Sequence, residues 1–155
     1  MERTQGKSTQ KKILFTGFGV FLLFVLVFVL VLWRNFRTVE VDGPSMEPTL
    51  HTGQRVLVSS AYWLVGAIKK GDIIVLKTPT KGDVIIKRVY ALAGDKVDLL
   101  NVPDSWSLVN GDFIVPQNTV FVLGDNRPVS EDSRELGPIP LKQVIGKVVV
   151  WNNPS

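Results

Sequence analysis

The sequence lacks cysteine entirely and has a single histidine, His51, among its 155 residues. Without cysteine the chain has no disulfide framework and no thiolate metal site, and one histidine excludes a multi-histidine metal centre. We therefore predict no metal and no cofactor.

The net positive charge is also small outside the amino terminus. The formal net charge is +4, but residues 1–12 carry four basic residues and one acid, which leaves about +1 for the rest of the chain. A nucleic-acid-binding domain typically shows a basic patch or stripe. We therefore expect no nucleic-acid partner.

One long apolar run stands apart from the rest of the chain. Residues 13–33 (ILFTGFGVFLLFVLVFVLVLW) contain no charged residue. A helix of this length matches the hydrocarbon thickness of a bilayer, about 30 Å. A cleaved secretory signal has the same basic-then-apolar order, but this run is longer than a usual signal core, and no small-x-small site follows it. We predict a transmembrane signal anchor that contacts the lipid bilayer.

The basic residues around the run indicate its orientation. Four precede it, whereas only Arg34 and Arg37 follow closely. An excess of positive charge marks the cytoplasmic side. We predict a cytoplasmic tail over residues 1–12, a plasma-membrane span over 13–33, and an extracytoplasmic domain rich in β-strands over 34–155.

The remaining apolar segments are short and rich in branched residues, which is typical of strands. Glycine beside aspartate or asparagine lies between them, as expected for tight turns that need a positive φ. Such spacing predicts a mainly β fold with an antiparallel sheet, barrel-like or sandwich-like, and one short helix within residues 59–69. The predicted strands cover residues 56–58, 73–76, 84–92, 112–115, 119–123 and 144–151.

Ser45 lies between two prolines in residues 43–50 (GPSMEPTL). Proline restricts φ and disfavours helix in the residue before it, so Ser45 occupies a short segment of restricted shape. An isolated serine there is most often an ordinary loop residue. Ser45 becomes a candidate nucleophile through two further motifs.

Lys87 and Arg88 are adjacent cations in the predicted strand 84–92 (VIIKRVYAL). Side chains alternate along a strand, so Lys87 shares a face with Ile85 and Val89, and Arg88 lies on the other. Burial disfavours an ammonium, and enzymes lower the pKa of lysine to about 7–8 in this way. Lys87 alone would be interpreted as a snorkelling side chain; beside a serine it is a candidate general base.

Residues 124–134 (GDNRPVSEDSR) place many polar groups directly after an apolar strand. Asp132 and Arg134 lie two apart and are expected to form an ion pair that stiffens the loop. A hydroxyl such as that of Ser130 can orient a neutral lysine amine by a hydrogen bond.

Together these stretches resemble the ordered motifs of the type I signal peptidases, in their compact Gram-positive form. The similarity is carried by SMEPTL at residues 45–50, KGDIIV at 70–75, KRV at 87–89 with Gly94 and Asp95, and residues 124–134. It covers nearly the whole chain from the anchor onward. It implies a membrane-bound serine endopeptidase that removes signal peptides from exported preproteins.

The resemblance also implies roles for individual residues. Ser45 matches the nucleophile, Lys87 the general base and Ser130 the hydroxyl that orients the lysine, while Asp132 and Arg134 match a supporting ion pair. The backbone N–H of Ser45 would be one oxyanion donor. Many members carry a second donor, a serine, at the position held here by Gly43. The residues expected by similarity to line the shallow substrate pockets are Val41, Met46, Leu50, Ile85 and Ile86.

Three alternatives remain open. Ser45 and His51 would form a Ser–His enzyme. A membrane-tethered β module would bind a partner without chemistry. A self-cleaving repressor-like Ser/Lys protease has a related fold core, but it needs a DNA-binding region where this chain has an apolar run.

Overall fold

The computed structural model describes residues 5–78 and 82–151. The chain divides after Asn35 into two compact units. The first is a single helix, α1, at Gln5–Asn35. Its part from Gly17 to Asn35 is long and apolar enough to cross a membrane, and none of it is buried within the protein. The helix thus extends beyond the predicted span of 13–33 at both ends.

The second unit is built from short antiparallel strands, which confirms the predicted fold class. The strands are β1 Phe36–Glu40, β2 Arg55–Ser59, β3 Ile73–Lys77, β4 Val84–Leu92, β5 Lys96–Val97, β6 Phe113–Ile114, β7 Thr119–Leu123, β8 Ile139–Pro140 and β9 Val144–Trp151. Within the described residues two one-turn α-helices accompany them, α2 at Tyr62–Val65 and α3 at Ser133–Leu136, together with 3₁₀ turns at Leu108–Asn110, Arg127–Val129 and Leu141–Gln143.

Seven of the strands form one sheet, in the order β1-β2-β9-β3-β4-β7-β8, and β5 and β6 form a separate ribbon. Ile74 of β3 lies opposite Lys87 of β4. Arg88 of β4 in turn lies opposite Leu123 of β7. The strand with the two adjacent cations is therefore an inner strand, and the 124–134 motif begins where its neighbour β7 ends.

All six predicted strand segments contain strands, and the predicted helix within residues 59–69 is present as α2. Three strands were not predicted: β1, β5 and β8. β5 and β8 have only two residues each, and β1 contains only two consecutive branched residues among polar ones, so we attribute these strands to pairing with a neighbour. β1, for example, pairs along its whole length with β2, from Phe36 opposite Ser59 to Glu40 opposite Arg55.

The turn glycines follow the prediction with one exception. Gly71, Gly82, Gly94 and Gly111 all have positive φ values, between 73° and 88°. Gly124 has no positive φ, so the expectation of a left-handed turn there is wrong. Glycine is instead needed at this position because neighbouring atoms leave no room for a Cβ.

Two apolar clusters separate the faces of β4. Ile86 packs with Met46, Leu50 and other buried residues in one cluster. Val89 belongs to a second, against which Ile85 packs. The alternation predicted for this strand is therefore confirmed from Ile85 to Val89. It does not hold beyond Val89, because the register shifts there and Tyr90 and Ala91 both pack in a third cluster.

Candidate active site

The serine segment, residues 43–50, is a compact turn attached to the core. Gly43 has a φ of 84°, a backbone conformation that favours glycine. The N–H of Leu50 donates to the carbonyl of Met46 at 2.9 Å, and both side chains are buried. Because the residue after Ser45 is buried, Ser45 has little freedom to move.

The serine segment is hydrogen-bonded to the loop that follows β7. The N–H of Asn126 donates to the Ser45 carbonyl at 3.0 Å, and its side-chain amide donates to the Pro44 carbonyl at 3.2 Å. Two motifs about 80 residues apart in the sequence are thereby brought together.

Lys87 reaches the serine hydroxyl. Its Nζ lies 2.8 Å from Ser45 Oγ, within hydrogen-bond distance. Lys87 is only 3% exposed. A protonated amine donates in this contact, whereas a neutral amine accepts the hydroxyl proton. The geometry therefore suits removal of that proton by Lys87.

Burial is the largest influence on the pKa of Lys87, and it lowers that pKa from the ordinary value of lysine. The carboxylates of Asp132 and Glu131 oppose the effect, but the pKa stays lowered. No carboxylate forms an ion pair with Lys87 within residues 5–78 and 82–151. The amine is therefore easier to deprotonate than a surface lysine.

Ser130 is buried beside this pair, at 4% exposure. The hydrogen bond from Ser130 to Lys87 that the resemblance implies is not formed. Ser130 Oγ lies near the Asp132 carboxylate and helps to lower its pKa, yet it makes no hydrogen bond of good geometry in the described part of the chain. Ser130 therefore has a buried hydroxyl close to Ser45 and Lys87, without a hydrogen-bond partner among the described residues.

Gly124 is in close contact with both motifs. A Cβ added at Gly124 would lie 2.1 Å from Ser130 Oγ and 2.6 Å from the Ser45 carbonyl oxygen. Real Cβ atoms do not approach other atoms so closely. Glycine is required here for space rather than for turn geometry, a need that the sequence pattern did not reveal.

The predicted pair of Asp132 and Arg134 is present. Arg134 Nε and Nη2 donate to the two carboxylate oxygens of Asp132, at 2.9 and 3.0 Å. Asp132 is fully buried and also accepts from the N–H of Gly124 at 3.0 Å. Burial acts to raise the pKa of Asp132, but these hydrogen bonds outweigh it and the pKa is lowered. The pair lies at the start of α3, where Asp132 is the N-cap with an extended backbone.

Arg88 holds a second ion pair, which the sequence analysis missed. Its Nε and Nη2 donate to the two carboxylate oxygens of Asp125, at 2.8 and 2.6 Å. Its Nη1 donates to the Gly71 carbonyl at 2.7 Å, and Thr49 Oγ1 lies 3.4 Å from Nη2. Arg88 thus joins the serine segment, β4 and the 124–134 loop.

Most residues expected to line substrate pockets lie in the core. Val41, Met46, Leu50 and Ile86 belong to one cluster and are at most 8% exposed, whereas Ile85 is partly buried on the other face. These residues adjoin the dyad but present little surface in this conformation.

His51 lies apart from this hydrogen-bonded site. Its imidazole Nδ1 is 3.7 Å from a carboxylate oxygen of Glu47, and its side chain is 48% exposed. Among the residues that the structure describes, no cluster of three histidine or acidic side chains is arranged to hold a metal ion.

Comparison with known proteins places this geometry in a family. The family model described as signal peptidase, peptidase S26, matches residues 14–103 and 100–152. Signal peptidase I of Bacillus licheniformis is 34% identical, over 92% of this chain and 91% of its own length. Signal peptidase I of Bacillus caldolyticus is 36% identical, over 81% and 85%.

A eukaryotic organelle protein is similar as well. The mitochondrial inner membrane protease subunit 1 of Xenopus tropicalis is 41% identical, over 74% of this chain and 69% of its own length. The chain therefore belongs to the signal peptidase family, peptidase S26, and is a peptidase.

Proposed function

We propose that this chain is a membrane-anchored serine endopeptidase that removes N-terminal signal peptides from exported preproteins after small-x-small motifs. Ser45 is the nucleophile and Lys87 the general base. The observation that carries the proposal is the 2.8 Å approach of the buried Lys87 amine to Ser45 Oγ.

The reaction follows from the properties of these two groups. Neutral Lys87 accepts the proton of Ser45 as Oγ attacks the scissile carbonyl carbon. The protonated amine then gives that proton to the leaving amine, and an acyl-enzyme remains. Lys87, neutral again, takes a proton from water as the water oxygen attacks the ester carbonyl carbon. The tetrahedral intermediate then breaks its bond to Ser45 Oγ, which takes that proton back from Lys87, and the carboxylic acid product leaves.

The oxyanion of the tetrahedral intermediate needs hydrogen-bond donors. Within the described residues the Ser45 N–H donates to no protein acceptor, so it is available for this purpose. Gly43 offers no side-chain donor, and proline at 44 has no N–H. A second donor must be another backbone N–H or a group brought by closure on the substrate.

The other predicted residues support the dyad in this proposal. The ion pair of Asp132 and Arg134 fixes the loop that carries Ser130. The Ser130 hydroxyl is buried without a hydrogen-bond partner among the described residues. We assign it the role of orienting the Lys87 amine, which requires the Ser130 side chain to rotate.

The apolar helix supplies the membrane anchor in this proposal. Helix α1 spans the membrane once, with its amino end in the cytoplasm and residues 34–155 on the far side. Anchoring confines enzyme and signal peptide to one surface, which raises their effective concentration. The cleavage segment binds as an extended strand, and its small residues enter shallow pockets near Val41, Met46, Leu50, Ile85 and Ile86.

The decisive experiment incubates the purified full chain with a preprotein in detergent. We expect a mature product whose new amino terminus, read by mass spectrometry, follows a small-x-small motif. Ser45→Ala should give no product, whereas His51→Ala should cleave at the normal rate. Turnover by Ser45→Ala, or loss of turnover in His51→Ala alone, would contradict the proposal. Binding of the preprotein without cleavage by the unaltered chain would favour a binding module.

A further inference from the structure

Residues 98–104, which follow β5, contact residues 124–136, which we call the active-site loop. Asn101 Oδ1 accepts a hydrogen bond from Arg127 Nη1 at 2.7 Å. The N–H of Asp104 donates to the Arg134 carbonyl at 2.7 Å. We call these residues the 98–104 segment. It touches the active-site loop at two points but neither Ser45 nor Lys87 in the described contacts.

The segment is itself firmly held. Asn101 Nδ2 lies 2.9 Å from each carboxylate oxygen of Asp98, and the Tyr90 hydroxyl also donates to Asp98. Val102 packs against the apolar cluster that contains Phe121 of β7. The segment is thereby attached to the same two strands, β4 and β7, that carry Lys87 and lead into the active-site loop.

Arg127 is fixed by contacts from both sides. Its guanidinium carbon lies 5.8 Å from the centre of the Tyr90 ring, in a cation–π contact, and its Nη1 reaches Asn101. From the inner side, Arg134 Nη2 donates to the Arg127 carbonyl at 2.8 Å. Arg134 is the residue that pairs with Asp132. Contacts therefore run without a gap from the 98–104 segment to the carboxylate beside the dyad.

We propose that the 98–104 segment positions the active-site loop, with Asn101 as its main positioning residue. By holding Arg127 and Arg134, the segment keeps the Asp132 carboxylate on the Gly124 N–H and keeps Ser130 beside the dyad. This inference rests on the proposed function, because it assigns the segment a task in the Ser45 and Lys87 reaction.

The hydrogen bonds of Asn101 to Asp98 and Arg127 lie in an exposed environment, although Asn101 itself is half-buried. A positioning role can therefore be separated from a role in folding. Hydrogen bonds between exposed groups add little to the stability of a fold. Catalysis is more sensitive, since a displacement of about 1 Å in a supporting group costs up to about 100-fold in rate. Removing the Asn101 contact should therefore lower the rate much more than it lowers the melting temperature.

The test compares Asn101→Ala with Asn110→Ala in the full chain with a preprotein substrate. Asn110 is a matched control, because it lies between the same two strands of the ribbon and its side chain is exposed. We expect kcat of Asn101→Ala to fall about tenfold, with KM changed by no more than about twofold because no substrate contact is lost. Asn110→Ala should match the unaltered chain in both.

A second measurement follows the loop directly. Amide hydrogen exchange at Gly124 reports the hydrogen bond to Asp132, and it should be faster in Asn101→Ala but unchanged in Asn110→Ala. Asp98→Ala, which removes the acceptor for both Tyr90 and Asn101, should act in the same direction. This variant also serves if Asn101→Ala fails to fold.

The outcomes separate this inference from the proposed function. If the unaltered chain cleaves the preprotein but Asn101→Ala and Asp98→Ala keep its kcat and its Gly124 exchange rate, the positioning role is wrong and the proposed function stands. A rise in KM alone would also overturn the role, since it would indicate a substrate contact. If the unaltered chain does not cleave, the proposed function fails instead.

Discussion

Lys87 and Arg88 are neighbours in one strand, yet they differ in burial, in hydrogen-bond partner and in the direction in which the pKa is displaced. Lys87 is buried, contacts a hydroxyl, and has a lowered pKa. Arg88 is partly exposed, forms a two-pronged ion pair with Asp125, and has a raised pKa because of that hydrogen bond. The alternation of a β-strand is enough to give one cation a reactive site and the other a structural one.

The largest effect should come from exchanging the type of cation at the buried position. Lys87→Arg keeps the positive charge, but a guanidinium does not lose its proton in a protein. If Lys87 acts as a base, cleavage should fall by more than about 1,000-fold. The measurement is the initial rate of preprotein cleavage, with circular dichroism to verify folding. Substantial turnover by a folded Lys87→Arg chain would show that Lys87 is not the general base.

The pH dependence of the rate sharpens the same distinction. Because Lys87 must be neutral, kcat/KM should fall about tenfold per pH unit below its lowered pKa and level off above it. Burial also makes the folded state bind fewer protons than the unfolded state between the folded and ordinary lysine pKa values, so the contribution of Lys87 to stability rises with pH in that window. A rate without an acid limb below the ordinary pKa of lysine would contradict the assignment.

Arg134→Ala tests the ion pair between Arg134 and Asp132, whose carboxylate acts on the pKa of Lys87. It leaves the fully buried Asp132 carboxylate without its cation, which should lower stability by about 3 kcal/mol or more at neutral pH. The rate should fall as well, because the loop loosens. Thermal melting and initial rates measure the two effects. Arg134→Lys is the control, since it keeps the charge, and it should lie between. Unaltered melting and rate in Arg134→Ala would dismiss the structural role.

Arg88→Lys should produce a smaller change than Lys87→Arg or Arg134→Ala. Lysine keeps the charge next to Asp125 but loses the two-pronged geometry and the bond to the Gly71 carbonyl, so we expect a loss of about 1–2 kcal/mol. The acid limb of the pH profile should keep its position, because Arg88 does not exchange protons with Ser45. A displaced limb would mean that the two cations are not independent.

Five of the seven strands of the large sheet, β2, β3, β4, β7 and β9, were predictable because each carries a run of branched residues between turn signals. The pairing of Asp132 and Arg134 was predictable from their spacing. Ser45 and Lys87 were found only because several motifs occurred together, since either residue alone has an ordinary structural explanation. Their hydrogen-bond distance in the structure agrees with that expectation, and their catalytic roles remain a prediction.

Other features were beyond the sequence for physical reasons. The crowding at Gly124 depends on Ser130 and on the serine segment, which lies about 80 residues away. The bond between Arg88 and Asp125 likewise depends on how β4 and β7 align. Such contacts are set by tertiary packing, and no local pattern records them.

The cluster that holds Met46 and Leu50 also holds Ile86, the residue before Lys87. One core cluster therefore holds the residue after Ser45 and the residue before Lys87, and close-packed cores resist gradual deformation. On warming, the active site should keep its shape until the whole domain melts, so inactivation and global unfolding should share a single midpoint.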